Sequence, residues 1–462
     1  MSGTIELWGV QDPNISAQLA LACKLDLFRR EEGLDVTCRF IESGTTMAHD
    51  VLGAEQKPFA FTQTPITALL LHEHGLSTKI VTPLAEIGGT QQVVVNSARG
   101  ISKPSDLEGK RVGMAHGAAI FLALKHMAKD CRVALEHINF VDLLPHEQVE
   151  AFRSGAVDAI ASWEPWTTQA QRLGGEFYFS GMQSKIPGLE GDINWLVNQS
   201  CFIVPDENLQ VAPETVVAML NVLRKATDLL NNHRKQAADV LTDFFNINRL
   251  DLLFAMQKND YSMMVTNLFR LGLLEFRDFL IEHGKITRKL PEDTFYDMRY
   301  LQEVDPCLVF LEDTIEQDIP IIQEGPMYYR EDFHLQAAKG GPLEFLIADD
   351  SRFVRASLKQ AISKVGGTLL GEATCGSEVL QQIAHQRSDV ITMDLSMPGV
   401  SGIEAIKIIT QMDPNINIIV ISGIDLQEVR EEMFNLGVKM FITKPFDIGD
   451  VTRVWQKAMS KS

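Results

Sequence analysis

Short apolar runs recur along residues 343–462, and each one ends on a polar residue of a particular kind. Phe345-Leu346-Ile347-Ala348 runs into Asp349-Asp350, and Val390-Ile391-Thr392-Met393 into Asp394. Ile418-Ile419-Val420-Ile421 runs into Ser422, and Met440-Phe441-Ile442-Thr443 into Lys444. Runs of this length, separated by helix-length segments, predict strands of a parallel sheet buried on both faces. In an open α/β sheet, groups at the carboxyl ends of adjacent strands share one crevice. Three carboxylates, a hydroxyl and an ammonium gathered there make a site for Mg2+ and a phosphoryl group.

Residues 1–310 also alternate. Strand-like patterns stand at Ile5-Glu6-Leu7-Trp8, Pro58-Phe59-Ala60-Phe61-Thr62, Gln92-Val93-Val94-Val95, Arg111-Val112-Gly113-Met114 and Val157-Asp158-Ala159-Ile160-Ala161. Amphipathic, helix-like segments separate them at 15–30, 118–128 and 147–153, and the pattern is helical over 213–245 and 250–280. Strands alternating with helices predict an α/β fold. Between the two regions, residues 311–342 carry acids, Pro320, Gly325-Pro326 and Gly341-Pro342, which read as a linker.

At 462 residues the chain has room for two or three domains. A net charge of −19, from 61 acidic and 42 basic side chains, argues against nucleic acid as a direct partner. The six cysteines form no C-x-x-C pair and are expected to be thiols in a reducing compartment. No run approaches the roughly 20 apolar residues of a membrane helix, and no export signal opens the chain, so a cytoplasmic protein without a membrane partner is expected.

Residues 343–462 resemble a response-regulator receiver domain. The resemblance rests on Ala348-Asp349-Asp350-Ser351, Met393-Asp394-Leu395-Ser396-Met397-Pro398-Gly399 with Gly402, Ile421-Ser422-Gly423 and Phe441-Ile442-Thr443-Lys444-Pro445-Phe446. It implies a flavodoxin-like (βα)5 fold with strand order 2-1-3-4-5. It also implies Asp394 as phosphoacceptor. Mg2+ would sit on Asp350, Asp394 and the carbonyl of Ser396, with Asp349 acting through bound water. Lys444 and Ser422 would hold the phosphoryl oxygens, and Phe441 would rotate as Ser422 moves inward. The Lys444–Pro445 peptide is expected to be cis.

Residues 1–310 resemble the periplasmic-type solute-binding proteins of the alkanesulfonate, taurine, nitrate and thiamine-pyrimidine-precursor group. The segments that carry this are Phe28-Arg29-Arg30-Glu31-Glu32-Gly33-Leu34-Asp35-Val36, Ser105-Asp106-Leu107-Glu108-Gly109-Lys110-Arg111-Val112-Gly113, His116-Gly117-Ala118-Ala119, Gly155-Ala156-Val157-Asp158-Ala159 and Trp163-Glu164-Pro165-Trp166. The resemblance implies a bilobal type II fold, with one lobe at 1–90 and 198–310, the other at 91–197, and a ligand in the cleft between. Cleft walls are expected from Trp8, Asp12 and Asn14; from Ser43, Gly44 and Thr45; and from Thr62, Gln63 and Thr64. Gly89, Thr90, His116, Gly117, Ala118, Trp163 and Glu164 complete the set. Relatives that bind oxyanions often place several hydroxyls where this chain has His116-Gly117-Ala118-Ala119. Trp8 and Trp163 could instead sandwich a planar ring, with Glu164 accepting from an amine as an aminopyrimidine requires.

Together these features predict a two-component signalling protein. A small-molecule module (aminopyrimidine, sulfonate or another small anion) is joined to a receiver phosphorylated by a sensor histidine kinase or phosphotransfer protein. Output is expected through protein–protein contacts, including a possible homodimer through the receiver, and no enzyme activity beyond the receiver's own phosphorylation and dephosphorylation. The alternatives are the solute-binding component of an ABC transporter and an enzyme like the thiamine-pyrimidine-precursor synthase, which consumes its own histidine (His49 or His116 here). The isolated Cys131 and Cys201 speak against the enzyme.

Overall fold

The computed structural model describes residues 4–311, 320–337, 341–413 and 416–460. Three sheets organise it. The first has five strands in the order Val36–Ile41, Ile5–Val10, Ala60–Gln63, Gln199–Pro205, Thr78–Glu86. The first three pair in parallel, while Gln199–Pro205 runs antiparallel to both neighbours. Ala60–Gln63 is buried at every position, as a central strand covered on both faces must be. The covering helix Pro13–Lys24 starts where Asp12 accepts from the Asn14 backbone N–H and Pro13 fills the first helical position.

The second sheet has seven strands built from residues between Gln91 and Asp192, with Gln91–Val95 antiparallel to both Ala159–Trp163 and Glu176–Ser180. The chain passes between the two sheets at Ile87–Thr90 and again between Asp192 and Gln199. Four longer helices follow, Pro213–Asn232, Arg234–Phe245, Arg249–Gln257 and Asn267–Glu282. An isolated bridge from Ile80 to Tyr296 then returns the chain to the first sheet.

The third sheet carries the strands expected at 343–462 in the order 2-1-3-4-5, all parallel. It also holds two strands that the sequence reading assigned to a linker. Ile321–Glu324 and Met327–Arg330 form a hairpin whose second strand pairs antiparallel with Met440–Thr443, at the sheet's edge. Met327 and Tyr329 are buried there and drive the pairing. Residues 312–319 and 338–340 of the expected linker lie outside the described residues.

The cysteine expectation is corrected. Cys23, in the Pro13–Lys24 helix, and Cys38, in the neighbouring strand, form a disulfide across a sequence separation of 15. Cys131, Cys201, Cys307 and Cys375 are free thiols. Among the described residues, no helix is long and apolar enough to cross a membrane.

Helix Asn267–Glu282 packs on both modules: Phe269, Leu273, Phe276, Phe279 and Leu280 join the core of the larger one, and its opposite face lies on the smaller one. Its Leu271 and Leu274 share a buried cluster with Ile424, Val429, Met433, Phe434 and Phe441. Arg270 from the same helix pairs with Glu292 and, at 3.1 Å, with Glu432. Arg277, only 2% exposed, pairs with Asp278 at 2.8 Å and Glu428 at 3.1 Å.

Candidate functional site

At the carboxyl edge of the third sheet, carboxylate oxygens of Asp349, Asp350 and Asp394 lie within 4.8 Å of one another. The Lys444 ammonium stands 2.6 Å from Asp394 and 2.9 Å from Asp349. Backbone donors fix the outer oxygens: the Ser351 N–H to Asp349 at 2.8 Å and the Ser396 N–H to Asp394 at 3.1 Å. The Ser422 hydroxyl, fully buried, accepts from the Ile424 N–H at 3.2 Å. Gly402 is required by a close approach. A Cβ there would lie 1.9 Å from the carbonyl oxygen of Asp394, so only glycine lets the following helix start against the Asp394 loop.

The electrostatics are those of an anion cluster short of positive charge. Burial pushes the Asp349 carboxyl up to about 7, only partly offset by Lys444. Burial and the neighbouring Asp394 and Asp349 also raise Asp350. Burial pulls the Lys444 ammonium down, but Asp349 and Asp394 more than compensate and hold its pKa above the usual lysine value. Asp350 Oδ2 is buried with no hydrogen-bond partner. A buried, orphaned carboxylate oxygen beside two other carboxylates fits a hard divalent cation with oxygen ligands. Sequence reasoning missed Arg355, whose guanidinium donates to the backbone oxygens of Asp349 at 2.6 Å and Asp350 at 2.9 Å and ties down the acidic loop. An arginine in the first turns of a helix gives no cue to that role. The Lys444–Pro445 peptide is cis.

The second candidate site lies between the first two sheets, and its lobes touch. Asn14 donates to the Glu164 carbonyl at 3.0 Å, and Asn259 donates to Asn14 Oδ1 at 3.1 Å. Glu164 is 1% exposed, pairs with Lys258, and accepts from Gln92 at 3.3 Å and the Thr168 N–H at 3.1 Å. Its backbone N–H donates to the Thr90 carbonyl at 3.1 Å. Asn259 Oδ1 is buried without a partner. Lys258, Asn259 and Gln92 were not foreseen. Lys258 and Asn259 follow a helical stretch whose polar end looks solvated.

Other expected cleft residues serve local structure. Asp12 caps its helix, with burial raising its carboxyl to about 6. Ser43 and Thr45 share a 2.7 Å hydroxyl contact at the surface, while Gln63 donates to the Gly44 carbonyl at 2.9 Å and accepts from the Thr64 N–H. Thr62 meets Ser16 at 2.6 Å, and the Gly89 carbonyl accepts from Gln92. The His116 ring is exposed and its backbone N–H donates to Asp142 at 2.9 Å; Gly117 turns the chain at φ +75°, and Ala118 is half-buried. The expected aromatic sandwich is corrected. Trp8 is 2% exposed in the first lobe's core with the Arg39 guanidinium 4.5 Å from its ring, whereas Trp163 is half-buried at its strand's end.

The second lobe also reaches the domain of the third sheet. Lys129, in helix Ile120–Cys131, donates to the Gly423 carbonyl at 3.5 Å, one residue beyond Ser422. His126 in that helix accounts for the nearest side chain to Gly423, and it pairs with Glu275 at 3.1 Å. The Asp130 carboxylate adds its field to those holding Lys444 protonated.

Comparison with known proteins matches this division. The response regulator receiver domain family matches residues 345–456, and the NMT1/THI5 like family matches residues 16–237. The chemotaxis protein CheY of Thermotoga maritima is 42% identical over 112 residues, which span 24% of this chain and 93% of that protein. CheY of Bacillus subtilis is 33% identical over 115 residues, 25% of this chain and 96% of that one. The periplasmic aliphatic sulphonate binding protein SsuA of Escherichia coli superposes with a TM-score of 0.54 at 15% identity, covering 65% of this chain and 100% of its own. The periplasmic nitrate-binding protein NrtA of Synechocystis PCC 6803 gives 0.52 at 13% identity, covering 66% and 89%. At those identities the likeness to SsuA and NrtA is one of fold. Through residues 345–456 the chain belongs to the response regulator receiver family, and a solute-binding-protein-like, NMT1/THI5-like domain precedes that receiver.

Proposed function

We propose that the protein is a cytoplasmic two-component signalling protein in which phosphorylation of Asp394 and occupation of the interlobe cleft bias one conformational equilibrium. The observation that carries this reading is the contact between modules. The chain's larger part lays helix Asn267–Glu282 on Gln427–Asn435 and sets Lys129 against the loop after Ser422. A movement of Ser422 toward a phosphoryl group therefore changes contacts made by the binding module.

Asp350, Asp394 and the Ser396 carbonyl would hold Mg2+, with Asp349 behind them. When bound, the ion neutralises the carboxylates that would repel an incoming phosphoryl group. Lys444 stands ready on Asp394 to share the transferred oxygens, and the Ser422 hydroxyl is their second partner. The donor would be a sensor histidine kinase or phosphotransfer protein, and the output a protein contact. In the cleft, the amides of Asn14, Asn259 and Gln92 around the Glu164–Lys258 pair suit a small ligand rich in ring donors and acceptors, such as an aminopyrimidine. Because Asn14 and Glu164 already touch, the lobes must part for it to enter.

Incubating the protein with a small phosphodonor and Mg2+ should give a base-labile acyl phosphate that Asp394→Asn abolishes. A label that persists in that variant, or none in the wild type, ends the reading.

A further inference from the structure

A cavity of about 700 Å³ opens where the larger module meets the receiver, and none of Asp394, Asn14 and Glu164 lines it. Its volume is that of a small-molecule site. Most of the wall is apolar. Met264, Phe310 and Ile408 gather there at 43%, 48% and 41% exposure, beside the half-buried Leu268 and Val400. Large apolar side chains left open together mark a surface that something else covers.

The accessible charges on this wall are all acidic. Glu86 ends the strand Thr78–Glu86, and Asp260 follows the helix Arg249–Gln257. The two exchange backbone hydrogen bonds, the Glu86 N–H to the Asp260 carbonyl at 2.8 Å and the Asp260 N–H to the Glu86 carbonyl at 3.1 Å. Residues opposed in this way on antiparallel segments send their side chains to the same face, where like charges repel. Glu86 is half-buried, and its Oε1 accepts from the Gly88 and Asn198 N–H groups at 2.9 and 3.1 Å. Asp260 is exposed. A third acid, Glu404 of the receiver helix Gly402–Met412, uses one oxygen to cap that helix at Ser401. Among the described residues, no basic side chain pairs with any of the three. Lys407 is the one basic residue of the wall, and its buried ammonium stands 3.7 Å from Glu432. Burial, with Asp260 adding repulsion, raises the Glu86 carboxyl to about 8, as expected of a carboxylate without a counterion.

Walls of low dielectric that carry charge of one sign concentrate ions of the other. We propose that this cavity is a binding site for a small amphipathic amine, its ammonium held between Glu86 and Asp260 and its apolar body laid against Met264, Leu268, Phe310 and Ile408. The ammonium supplies the counterion that the opposed carboxylates lack, and the body covers the side chains left open. Binding there requires neither phosphate on Asp394 nor a ligand in the cleft.

The test is calorimetric titration of the full chain with octylamine and 4-phenylbutylamine. Octanol and 4-phenylbutanol are the uncharged controls, and octanoate is the anion. Saturable binding of both amines is expected, at least about tenfold tighter than that of the matching alcohols and of octanoate. Glu86→Gln with Asp260→Asn keeps an acceptor for the Gly88 and Asn198 N–H groups and removes the opposed charges. In that variant the amines should bind no tighter than the alcohols. Ile408→Trp fills the cavity from its exposed receiver side and should weaken amines and alcohols alike, by about tenfold or more. Because Ile408 belongs to the receiver, that loss separates this cavity from the Glu164 cleft, where an amine would also meet a carboxylate. No saturable binding of either amine overturns the proposal. So does an amine preference that survives in the folded double variant, and so does full amine affinity in Ile408→Trp, which alone decides if the double variant does not fold.

Discussion

Asp350 shows how one buried residue can be costly to the empty protein and useful to the working one. With Oδ2 buried and unpartnered beside Asp349 and Asp394, its charge opposes the fold until a cation arrives. Asp350→Asn should therefore raise the melting temperature measured without metal. It should also erase the stabilisation that saturating Mg2+ gives wild type, about 2.7 kcal/mol at 100 times the dissociation constant. A variant that melts lower without metal, or still responds fully to Mg2+, contradicts this account. Glu86 gives a pH signature of its own. Its folded-state pKa is raised from 4.5 to about 8, so its contribution to stability is complete below 4.5 and is lost as pH climbs toward 8. Glu86→Gln keeps the acceptor for Gly88 and Asn198 and removes the titration. The variant's advantage in urea denaturation should grow between about pH 5 and pH 8, by at most about 1.4 kcal/mol per pH unit. Equal pH profiles for the two proteins would refute it. The receiver residues were readable in the sequence because the residue ending each apolar run also lines the crevice. Trp8 and Lys258 were not. The side to which a strand's last aromatic turns, and the partner a polar helix end finds, depend on chain far away in sequence.

Among the elements, four strands of residues 343–462 were legible because each is a continuous apolar run bounded by turns, whereas Thr368–Ala373, mixed in polarity and partly exposed at the sheet's edge, was expected only from the resemblance. The Ile321–Arg330 hairpin was hidden for the opposite reason. Gly325-Pro326 is a turn signal, and in a stretch of acids and prolines it reads as a break. It becomes a hairpin because Met440–Thr443 offers an unpaired sheet edge more than a hundred residues later. The Cys23–Cys38 bond is the same kind of surprise, since a helix and a strand bring together cysteines whose spacing matches no motif. Labelling denatured, unreduced protein should modify four thiols, those of Cys131, Cys201, Cys307 and Cys375, and reduction should expose two more. Reduction should also cost up to about 3 kcal/mol, the stabilisation expected for a loop of this length. Six reactive thiols before reduction would show that the pair is open in the protein as isolated.

At the scale of the whole molecule, neither module's pattern announced that one would sit on the other. Leu271 and Leu274 read as one more apolar face of a long helix, and only the structure shows that face covering Val429 and Met433 of the receiver. The packing is bounded by charges that can be tested without emptying a core. Arg270 meets Glu432 and Arg277 meets Glu428, so Glu428→Lys with Glu432→Lys places like charges across the contact. If the contact transmits the phosphorylation state, beryllofluoride with Mg2+ must change the affinity of a cleft ligand, and that ligand must change beryllofluoride affinity by the same factor. Coupling of the ordinary size, about 1–3 kcal/mol, is a shift of roughly 5- to 150-fold in each direction. The double variant should bring both shifts to nearly onefold while leaving each site's affinity, measured with the other empty, close to that of the wild type or of whichever conformer the contact no longer restrains. Equal shifts in wild type and variant would place the coupling elsewhere, and no shift in wild type would make the docked helix a tether between independent modules.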